Sequence, residues 1–393
     1  MLPLEGVTVV SLEHAVALPF ATRHLADLGA RVVKVERPGS GDFARAYDTA
    51  VRGGMSAHFA WLNRSKESLT VDVGTAAGRA VLTGLVDRAD VVAQNLAPGA
   101  AARLGLDAAT LVTAHPRLVA VDLSGYGAGG PYSHKRAYDM LVQAETGLIA
   151  TTGTPEHPAK AGFAAGDVAA GTYVVQAVLA ALLRRERSGV GAALEVTMID
   201  SLAEWMGYSV QSVEHTGVEP SRSGISHPSI TPYEAFTTAD GDRVLIGVQN
   251  DREWTRLATE VLARPDLAVD DDFATNQARV RNRARTDALV AAGVALLTTE
   301  EVDARLDAAG IAHARLNTVR GLLDHPQLAA RNRWTCVDSP VGPVRQLRPV
   351  VGFPGEDPPM GPLPALGADT DTILTELGYS PEEIAGLRVD GVL

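Results

Sequence analysis

The residues that most often carry enzyme chemistry are few and scattered in this sequence. It has no Gly-x-Ser-x-Gly turn for a nucleophilic serine, no Gly-x-x-x-x-Gly-Lys-Ser/Thr phosphate loop and no His-Glu-x-x-His zinc motif. No two of its ten histidines have metal-ligand spacing beside carboxylates, so we predict no metal site. The single cysteine, Cys336, lies in a strand-like segment, and we interpret it as a packing thiol.

Two further elements have the wrong composition for a nicotinamide cofactor. The first strand-to-helix turn, residues 11–20, contains no glycine, whereas a dinucleotide-binding unit needs Gly-x-Gly-x-x-Gly there so that the pyrophosphate can approach the backbone. A glycine-rich run at residues 125–130 follows a later predicted strand, but Pro131 and the polar residues after it do not open a good helix. We interpret that run as a loop that can close over a ligand.

The elements that would position a site are predicted by the hydrophobic pattern. Short apolar runs at 7–13, 30–36, 90–95 and 118–124 alternate with helical segments, which predicts βαβ units and a mostly parallel sheet. The strongest helix runs from Val168 to Arg187, and Asp167 stands directly before it. An Asp in that position normally caps the helix by accepting hydrogen bonds from its first amides.

The second half has a different organisation. A Ser/Pro/Gly-rich stretch at 219–232 indicates an interdomain connection. A hairpin is predicted from Tyr233 to Val248 with its turn at Asp240-Gly241. Charged amphipathic helices follow to about residue 310, then a strand-like stretch from Trp334 to Val351 and a final helix from Thr370 to Leu377.

Length and charge restrict the class of protein. A chain of 393 residues is longer than one core usually supports, so we expect two lobes. Its net charge of −12 lacks the basic field that sequence-independent nucleic-acid binding needs. No uninterrupted apolar stretch approaches the ~20 residues of a membrane span, and the N-terminus lacks the pattern of a signal peptide. We therefore expect a cytoplasmic, globular protein without a membrane partner.

Several ordered segments carry a family resemblance. They are residues 4–42, 63–73, 91–106, 162–191 and 310–328, together with the tail GADTDTILTELG. With them the chain resembles the class III CoA-transferases of the CaiB/BaiF type, the family of formyl-CoA transferase, carnitine CoA-transferase and α-methylacyl-CoA racemase. The resemblance runs nearly from end to end. It implies an enzyme that moves CoA from an acyl-CoA thioester to a free carboxylic acid, with CoA as a substrate and no tightly bound cofactor.

The resemblance implies a catalytic role for Asp167. In the family, the Asp before the long helix is the covalent nucleophile, and the segment AAGDVAAG places Asp167 at that position. Its carboxylate would attack a thioester and pass through anhydride and aspartyl-CoA intermediates, so that the thioester energy is not lost to water. An Asp with the ordinary pKa of about 3.9 would be ionised at pH 7 but weakly nucleophilic while solvated.

The resemblance also implies a CoA-binding set. Cations are needed for the phosphates of CoA on an otherwise acidic protein, and loop residues are needed along the cofactor and around the thioester. Carried over by motif, the set is His14, Ala15, Arg37, Lys66, Asn95, Leu96, Ala97, Arg103, Arg136 and Tyr138. Two departures from formyl-CoA transferase argue against oxalate or formate as substrate: Val16 replaces its glutamine, and residues 222–236 replace its glycine-run loop.

Alternatives remain within and beyond this function. The racemases of the family place an acid/base histidine where this chain has Tyr138, and His134 is out of register, which favours transfer over racemisation. A CoA-binding protein without turnover is a third reading, against which the intact Asp167 motif argues. For the substrates, the segments around residues 13–37 and 58–72 look nearest to transferases that use succinyl-CoA with small dicarboxylic acids.

The resemblance finally implies an architecture. We expect a Rossmann-like α/β large domain with a parallel sheet, formed by residues 1–221 and 331–393, and a smaller α+β domain at 222–330. We also expect a homodimer whose two subunits are interlocked as rings. Composition alone does not predict this arrangement.

Overall fold

The protein is described by a computed structural model that covers residues 1–393. The chain forms two compact units. The first comprises residues 1–148, 160–210 and 328–393, and the second comprises residues 149–159 and 211–327. The domain boundaries at 222 and 330 expected from the sequence stay a prediction.

A six-stranded, fully parallel sheet forms the centre of the first unit. Its strand order is β3-β2-β1-β4-β5-β6. The strands are β1 (Thr8–Leu12), β2 (Arg31–Glu36), β3 (Lys66–Thr70), β4 (Val91–Gln94), β5 (Val119–Ser124) and β6 (Ala192–Thr197). Most of their residues are buried, as expected of a parallel sheet with both faces covered. The predicted α/β class with a parallel sheet is confirmed.

Helices are distributed over both units. Up to β6 they are α1 (Ala17–Asp27), α2 (Ala57–Leu62), α3 (Ala76–Val86), α4 (Ala100–Leu104), α5 (Ala108–Ala114), α6 (Asp139–Glu145), α7 (Leu148–Thr151) and α8 (Ala165–Ser188). After β6 they are α9 (Met198–Trp205), α10 (Gly207–Thr216), α11 (Asp251–Arg256), α12 (Asn276–Arg281), α13 (Arg283–Val294), α14 (Thr299–Ala308), α15 (Val319–Leu323), α16 (Pro326–Ala330), α17 (Thr370–Leu377) and α18 (Pro381–Val389). The last predicted helix, Thr370 to Leu377, is confirmed as α17.

The sheet of the first unit has an apolar core on each face. On one face, α1 and α8 contribute Leu18, Leu25 and Val174 to a cluster with β1, β4 and β5. On the other face, Ile373 and Ile384 of α17 and α18 pack in a cluster with α3 and the strands. The C-terminal segment is therefore part of the same core as the first strands.

Helix α8 is the longest helix. By length and composition alone it could cross a membrane. In the structure, 44% of its apolar window is buried, and Ala170, Val174 and Val178 are fully buried in the core. Core helices of soluble proteins pass the same test.

The second unit contains a small antiparallel sheet of order β7-β8-β9. Its strands are β7 (Tyr233–Thr237), β8 (Arg243–Gly247) and β9 (Ala312–Arg315). The predicted hairpin and its turn are confirmed, and Gly241 in the turn has a positive φ of 86° that suits glycine. Helices α11, α13 and α14 pack with this sheet around the buried Trp254, which makes the unit α+β.

A second hairpin lies in the C-terminal part of the first unit. It pairs β10 (Trp334–Val337) with β11 (Val344–Leu347), as the alternating pattern predicted. Cys336 is exposed on β10, so its interpretation as a packing thiol is wrong. The alternation of apolar and polar residues predicted the strand, but it did not predict which face of the strand would be buried.

Candidate active site

The turns after β1 and β4 meet at the carboxyl edge of the sheet. In this strand order the chain leaves β1 toward one side and β4 toward the other, and such a topological switch point is where open α/β sheets bind ligands. The two turns are tied by a reciprocal pair: the His14 amide donates to Asn95 Oδ1 at 2.9 Å, and Asn95 Nδ2 donates to the His14 carbonyl at 2.9 Å. The structure thus brings together His14 and Asn95, which the sequence analysis had assigned to the same ligand.

The turn between β1 and α1 is held in an unusual conformation. Ala15 has a φ of 64°, a left-handed value that is uncommon for a residue with a side chain, and its amide donates to Asp42 Oδ1 at 3.2 Å. The His14 ring stacks on Phe43 with 5.3 Å between centroids, and its buried Nδ1 has no hydrogen-bond partner. Burial lowers the pKa of His14, so the ring is neutral near pH 7.

Beneath this turn lies a buried cluster of two carboxylates and two ammonium groups, here called the ionic cluster: Glu13, Lys34, Asp42 and Lys66. Glu13 Oε1 accepts from Lys66 Nζ at 2.7 Å and from Lys34 Nζ at 3.2 Å, and Lys34 Nζ also donates to Asp42 Oδ2 at 2.8 Å. Burial alone would raise the pKa of Glu13, but the two lysines outweigh it and hold that pKa at about 2. The cluster anchors the ends of β1, β2 and β3 to one another.

Lys66 requires a correction. The sequence analysis placed it on a loop as a direct ligand of CoA, but it opens strand β3, and its side chain is fully buried. Its ammonium group donates to Glu13, to the Pro19 carbonyl at 3.0 Å and to Asn63 Oδ1 at 3.1 Å. Lys66 therefore supports the turn through Glu13 and offers no surface to a phosphate.

Asp167 lies in the first turn of α8, and the structure excludes its interpretation as the cap of that helix. The cap position is Ala164, and no side chain of the helix itself caps it. Asp139, the first residue of α6, supplies the acceptor instead: its Oδ1 accepts from the Gly166 amide at 2.7 Å and from the Asp167 amide at 3.3 Å. The Asp167 carboxylate forms no hydrogen bond and no ion pair, and it remains available for chemistry.

The electrostatic surroundings of Asp167 disfavour its charged form. Burial, and then the neighbouring carboxylate of Asp139, raise the pKa of Asp167 to about 7. The ionised state assumed from an ordinary pKa of about 3.9 is therefore only partly populated at neutral pH. A strongly shifted acid with a specific charged neighbour is typical of functional sites.

A close helix crossing directs Asp167 toward the switch point. A Cβ atom at Gly171 would lie 2.6 Å from the Ala17 carbonyl oxygen and 2.9 Å from Phe20, so only glycine allows α8 to pack this tightly on the start of α1. Asp167 is one turn before Gly171 and lies on the same face of α8. Asp167 and Asp42 of the ionic cluster both act on Tyr47. Burial and these two carboxylates raise the pKa of Tyr47 to about 12.

The proposed CoA cations other than Lys66 are exposed around the same edge of the sheet. Arg37 directly follows β2, Arg103 ends α4, and Arg136 lies between β5 and α6. None of the three forms a salt bridge within the protein, which leaves their guanidinium groups free for an anionic ligand. Leu96 and Ala97 continue the turn after β4, and the Leu96 amide donates to Gln94 Oε1 at 2.7 Å.

Tyr138 is the residue before α6 and is 58% exposed. Tyr138 and Asp167 both contribute to the raised pKa of Tyr47, so both lie near that residue. The glycine-rich loop before it is fixed at its base, because a Cβ at Gly125 would lie 2.0 Å from Ala137 Cβ. The Ala128 amide in that loop donates to Glu195 Oε1 at 2.7 Å.

Comparisons with known proteins show the family of this chain. The family model for CoA-transferase family III matches residues 4–370. The chain is 33% identical to the succinyl-CoA–D-citramalate CoA-transferase of Chloroflexus aurantiacus, over 100% of this chain and 98% of that one. It is 32% identical to the succinyl-CoA:glutarate CoA-transferase of Mus musculus, over 100% of this chain and 91% of that one. A crystal structure of a CaiB/BaiF family protein from Brucella suis superposes with a TM-score of 0.83 at 34% identity, covering 96% of this chain and 99% of that chain.

The chain therefore belongs to CoA-transferase family III, and it is an enzyme of that class. Its substrates include a CoA thioester and a carboxylic acid, as the family activity requires.

Sequence reasoning missed three residues of this site. Glu13, Asp139 and Tyr47 were not selected, although Glu13 holds Lys66, Asp139 binds the Asp167 amide, and Tyr47 has a pKa that Asp167 helps to raise. The sequence contained a local signal for Asp139, because an acidic residue in the first turn of a helix is typical of a helix start. No local signal indicates that it caps a different helix.

Proposed function

We propose that this enzyme is an acyl-CoA:carboxylate CoA-transferase in which Asp167 is the covalent nucleophile. One observation carries the proposal: Asp167 has a half-buried, unpaired carboxylate with a pKa raised to about 7, in the first turn of α8. An unpaired carboxylate in such surroundings has lost much of the hydration that makes an aspartate in water a weak nucleophile.

The reaction proceeds through acyl groups on this carboxylate. Asp167 attacks the carbonyl of the donor thioester, the C–S bond breaks, and CoA leaves as a thiolate while a mixed anhydride forms. The thiolate attacks the aspartyl carbonyl and expels the donor acid, which gives an aspartyl-CoA thioester. The carboxylate of the acceptor attacks this thioester, and a second anhydride forms as the thiolate leaves. The thiolate then attacks the acceptor's acyl carbon, which yields the new acyl-CoA and restores Asp167.

Asp139 is well placed to increase the reactivity of the nucleophile. Amides at the start of a helix ordinarily stabilise a nearby negative charge. In α8 those of Gly166 and Asp167 are already bound by Asp139, so they do not stabilise the Asp167 carboxylate. The energy of the ionised nucleophile stays high until it forms a bond to the thioester carbon.

For the substrates we propose succinyl-CoA as donor and a small dicarboxylic acid, such as citramalate, itaconate or mesaconate, as acceptor. Support comes from the succinyl-CoA-dependent relatives and from the two departures from the formyl-CoA transferase pattern, Val16 and residues 222–236. The test is a panel of acyl-CoA donors against free acids with the CoA products identified by mass spectrometry. Transfer from formyl-CoA or oxalyl-CoA alone would contradict the assignment.

The CoA-binding set gives a prediction on KM. Neutralising Arg37, Arg103 or Arg136 one at a time to Gln should raise KM for acyl-CoA about ten- to a hundredfold, because a charge-assisted hydrogen bond to a phosphate contributes about 1.5–3 kcal/mol. Turnover should change little, because remote phosphates are held equally in the ground and transition states. Arg79→Gln, an exposed arginine on α3, is the matched control. Unchanged KM in all three variants would show that CoA binds elsewhere.

Racemisation of a 2-methylacyl-CoA is the second candidate, and Tyr138 argues against it. A tyrosine, with an ordinary pKa of about 10, is a poor base near neutrality. We expect fast exchange of CoA between an acyl-CoA and a free acid, and much slower deuteration at Cα when 2-methylacyl-CoA is incubated in D₂O without acceptor and followed by NMR. Deuterium at Cα at turnover speed, with no CoA exchange to any acid, would establish the racemase instead.

We further propose that two chains form the interlocked homodimer that the family resemblance implies. We also propose that the enzyme is cytoplasmic and that its domain boundaries lie at residues 222 and 330. Sedimentation equilibrium at micromolar concentration should give twice the chain mass of 41.2 kDa. A monomer at that concentration would contradict the homodimer.

A further inference from the structure

A cavity in the first unit lies between α1, α2 and the β10–β11 hairpin, and it has a volume of about 470 Å³. We call it the arginine pocket, because four arginines line it: Arg23, Arg64, Arg345 and Arg348. No acidic residue is among its lining residues. In a protein of net charge −12, a cavity lined by four cations and no anion is a marked local reversal of charge.

The carboxylates near the pocket do not satisfy this charge. Asp27 binds Arg64 in a bidentate pair at 3.0 and 2.6 Å and approaches Arg23 only at 3.6 Å. Arg348 approaches the exposed Asp357 at 4.0 Å. Two guanidinium groups therefore share one buried carboxylate, and Arg348 has only a distant partner.

The donors around the pocket differ in how accessible they are. Arg23 is 7% exposed, and its Nη2 lies 2.8 Å from His24 Nε2. Arg23 Nε, Arg348 Nε and Trp334 Nε1 have no acceptor, but all three atoms are inaccessible to solvent. The Arg348 side chain as a whole is 38% exposed, so a ligand in the pocket would reach its guanidinium group rather than these buried atoms.

The rest of the wall is flat and apolar. Phe20 and Trp61 pack edge to face with 5.9 Å between centroids, and the Arg345 guanidinium lies 4.4 Å from the Trp334 ring centre. Phe20 also packs against His24, whose pKa is lowered to about 3 by burial and by Arg23 and Arg64. His24 is thus a neutral ring, and its Nε2 lies 2.8 Å from Arg23 Nη2. A purely inorganic ion would leave the aromatic surface of Phe20, Trp61 and Trp334 without a contact.

We propose that the arginine pocket binds a small organic anion, a carboxylate or phosphate attached to an apolar, flat group. Its oxygens would accept from Arg348, in a cavity whose positive charge Arg23 and Arg64 add to, and its apolar part would lie against Phe20, Trp61 and Trp334. The pocket shares no lining residue with the proposed CoA set or with Asp167, so it is a separate site.

Titration calorimetry of the full chain tests this proposal with phenyl phosphate, benzoate and inorganic phosphate at constant ionic strength. We expect saturable binding of phenyl phosphate or benzoate, at least tenfold tighter than that of inorganic phosphate. The comparison of phenyl phosphate with benzoate decides between the two anion chemistries. Binding should persist in the presence of saturating CoA and in Asp167→Asn, because the site is separate.

Arg348→Gln should weaken this binding at least tenfold, whereas Arg79→Gln should leave it unchanged. We substitute Arg348 rather than Arg23 because Arg348 is only partly buried. The thermal unfolding curve of the Arg348→Gln variant will show whether that variant is folded. Absence of saturable binding, equal losses in the two variants, or displacement by CoA would each overturn the proposal. So would dissociation of an oligomer by Arg348→Glu, which would identify the pocket as a contact between copies of this chain.

Discussion

Asp167→Asn should fold and lose at least three orders of magnitude in kcat. Asn has nearly the same shape as Asp, but its amide cannot form the anhydride, so every covalent step is removed. The variant should also unfold at no lower temperature than the wild type at pH 8. Because the pKa of Asp167 is raised from about 3.9 in the unfolded chain to about 7 in the folded one, stability is lost as the pH rises between these two values. The full cost is present at pH 8, whereas Asn has no charge to bury.

Asp200→Asn is the matched control, because Asp200 is another acidic residue in the first turn of a helix, α9. It should keep near-normal activity. The second measurement is trapping: wild type incubated with acyl-CoA and hydroxylamine should be modified at Asp167 and inactivated. If Asp167→Asn retained more than a tenth of the wild-type activity, Asp167 would not be the nucleophile.

The same pKa predicts the pH dependence of the reaction. The nucleophile must be ionised, so kcat/KM should rise about tenfold per pH unit below about pH 7 and level off above it. Asp139→Asn removes one cause of the raised pKa and should shift this inflection toward lower pH. A profile that is flat between pH 5.5 and 8 would show that Asp167 does not titrate in the free enzyme.

Glu13→Gln should cause the largest loss of stability among single substitutions at the site, about 3–5 kcal/mol in the free energy of unfolding at pH 7. The change leaves Lys34 and Lys66 buried without their shared carboxylate, and breaking a buried ion pair by removing one partner is costly. The contribution of Glu13 should persist above its unfolded pKa of about 4.3 and be lost as the pH falls toward about 2.

Urea unfolding of Glu13→Gln, compared with that of Glu67→Gln, measures this loss of stability. Glu67 also binds a cation, Arg31, but both side chains are about one-third exposed, so its loss should cost about 1 kcal/mol or less. Similar losses in the two variants would show that the ionic cluster contributes no more than a surface ion pair.

The sequence predicted the parts of this fold that depend on local pattern. The turns after β1 and β4, the hairpin at Asp240-Gly241 and helix α17 all follow from residues within a few positions of one another. The family resemblance assigned His14 and Asn95 to one ligand, but it did not predict that the two residues bind each other. The structure adds the physical reason, which is that parallel strands end at one edge of a sheet.

The predictions that failed depended on distant partners. Lys66 is drawn into the interior by Glu13, 53 positions earlier, and a lysine in a polar segment shows no sign of this in sequence. A distant partner also excludes the alternative that the family resemblance had set aside, Asp167 as a helix cap, because Asp139 on another helix accepts from those amides. The exposed face of Cys336 and the buried apolar face of α8 are likewise decided by which elements pack nearby, which a window of sequence does not contain.

The missing side chain at position 171 restricts how an enzyme of this kind can diversify. The nucleophile belongs to one helix and the ligand-binding turn to another, and Gly171 sets their separation by direct contact with the Ala17 carbonyl. Any larger residue there would alter the spacing for every substrate alike, and a misplacement of about 1 Å can cost about a hundredfold in rate. New acceptor acids are therefore accommodated more readily by changes in the exposed loop at residues 125–136 than by changes along this helix contact. The chemistry and the choice of substrate can evolve as separate traits.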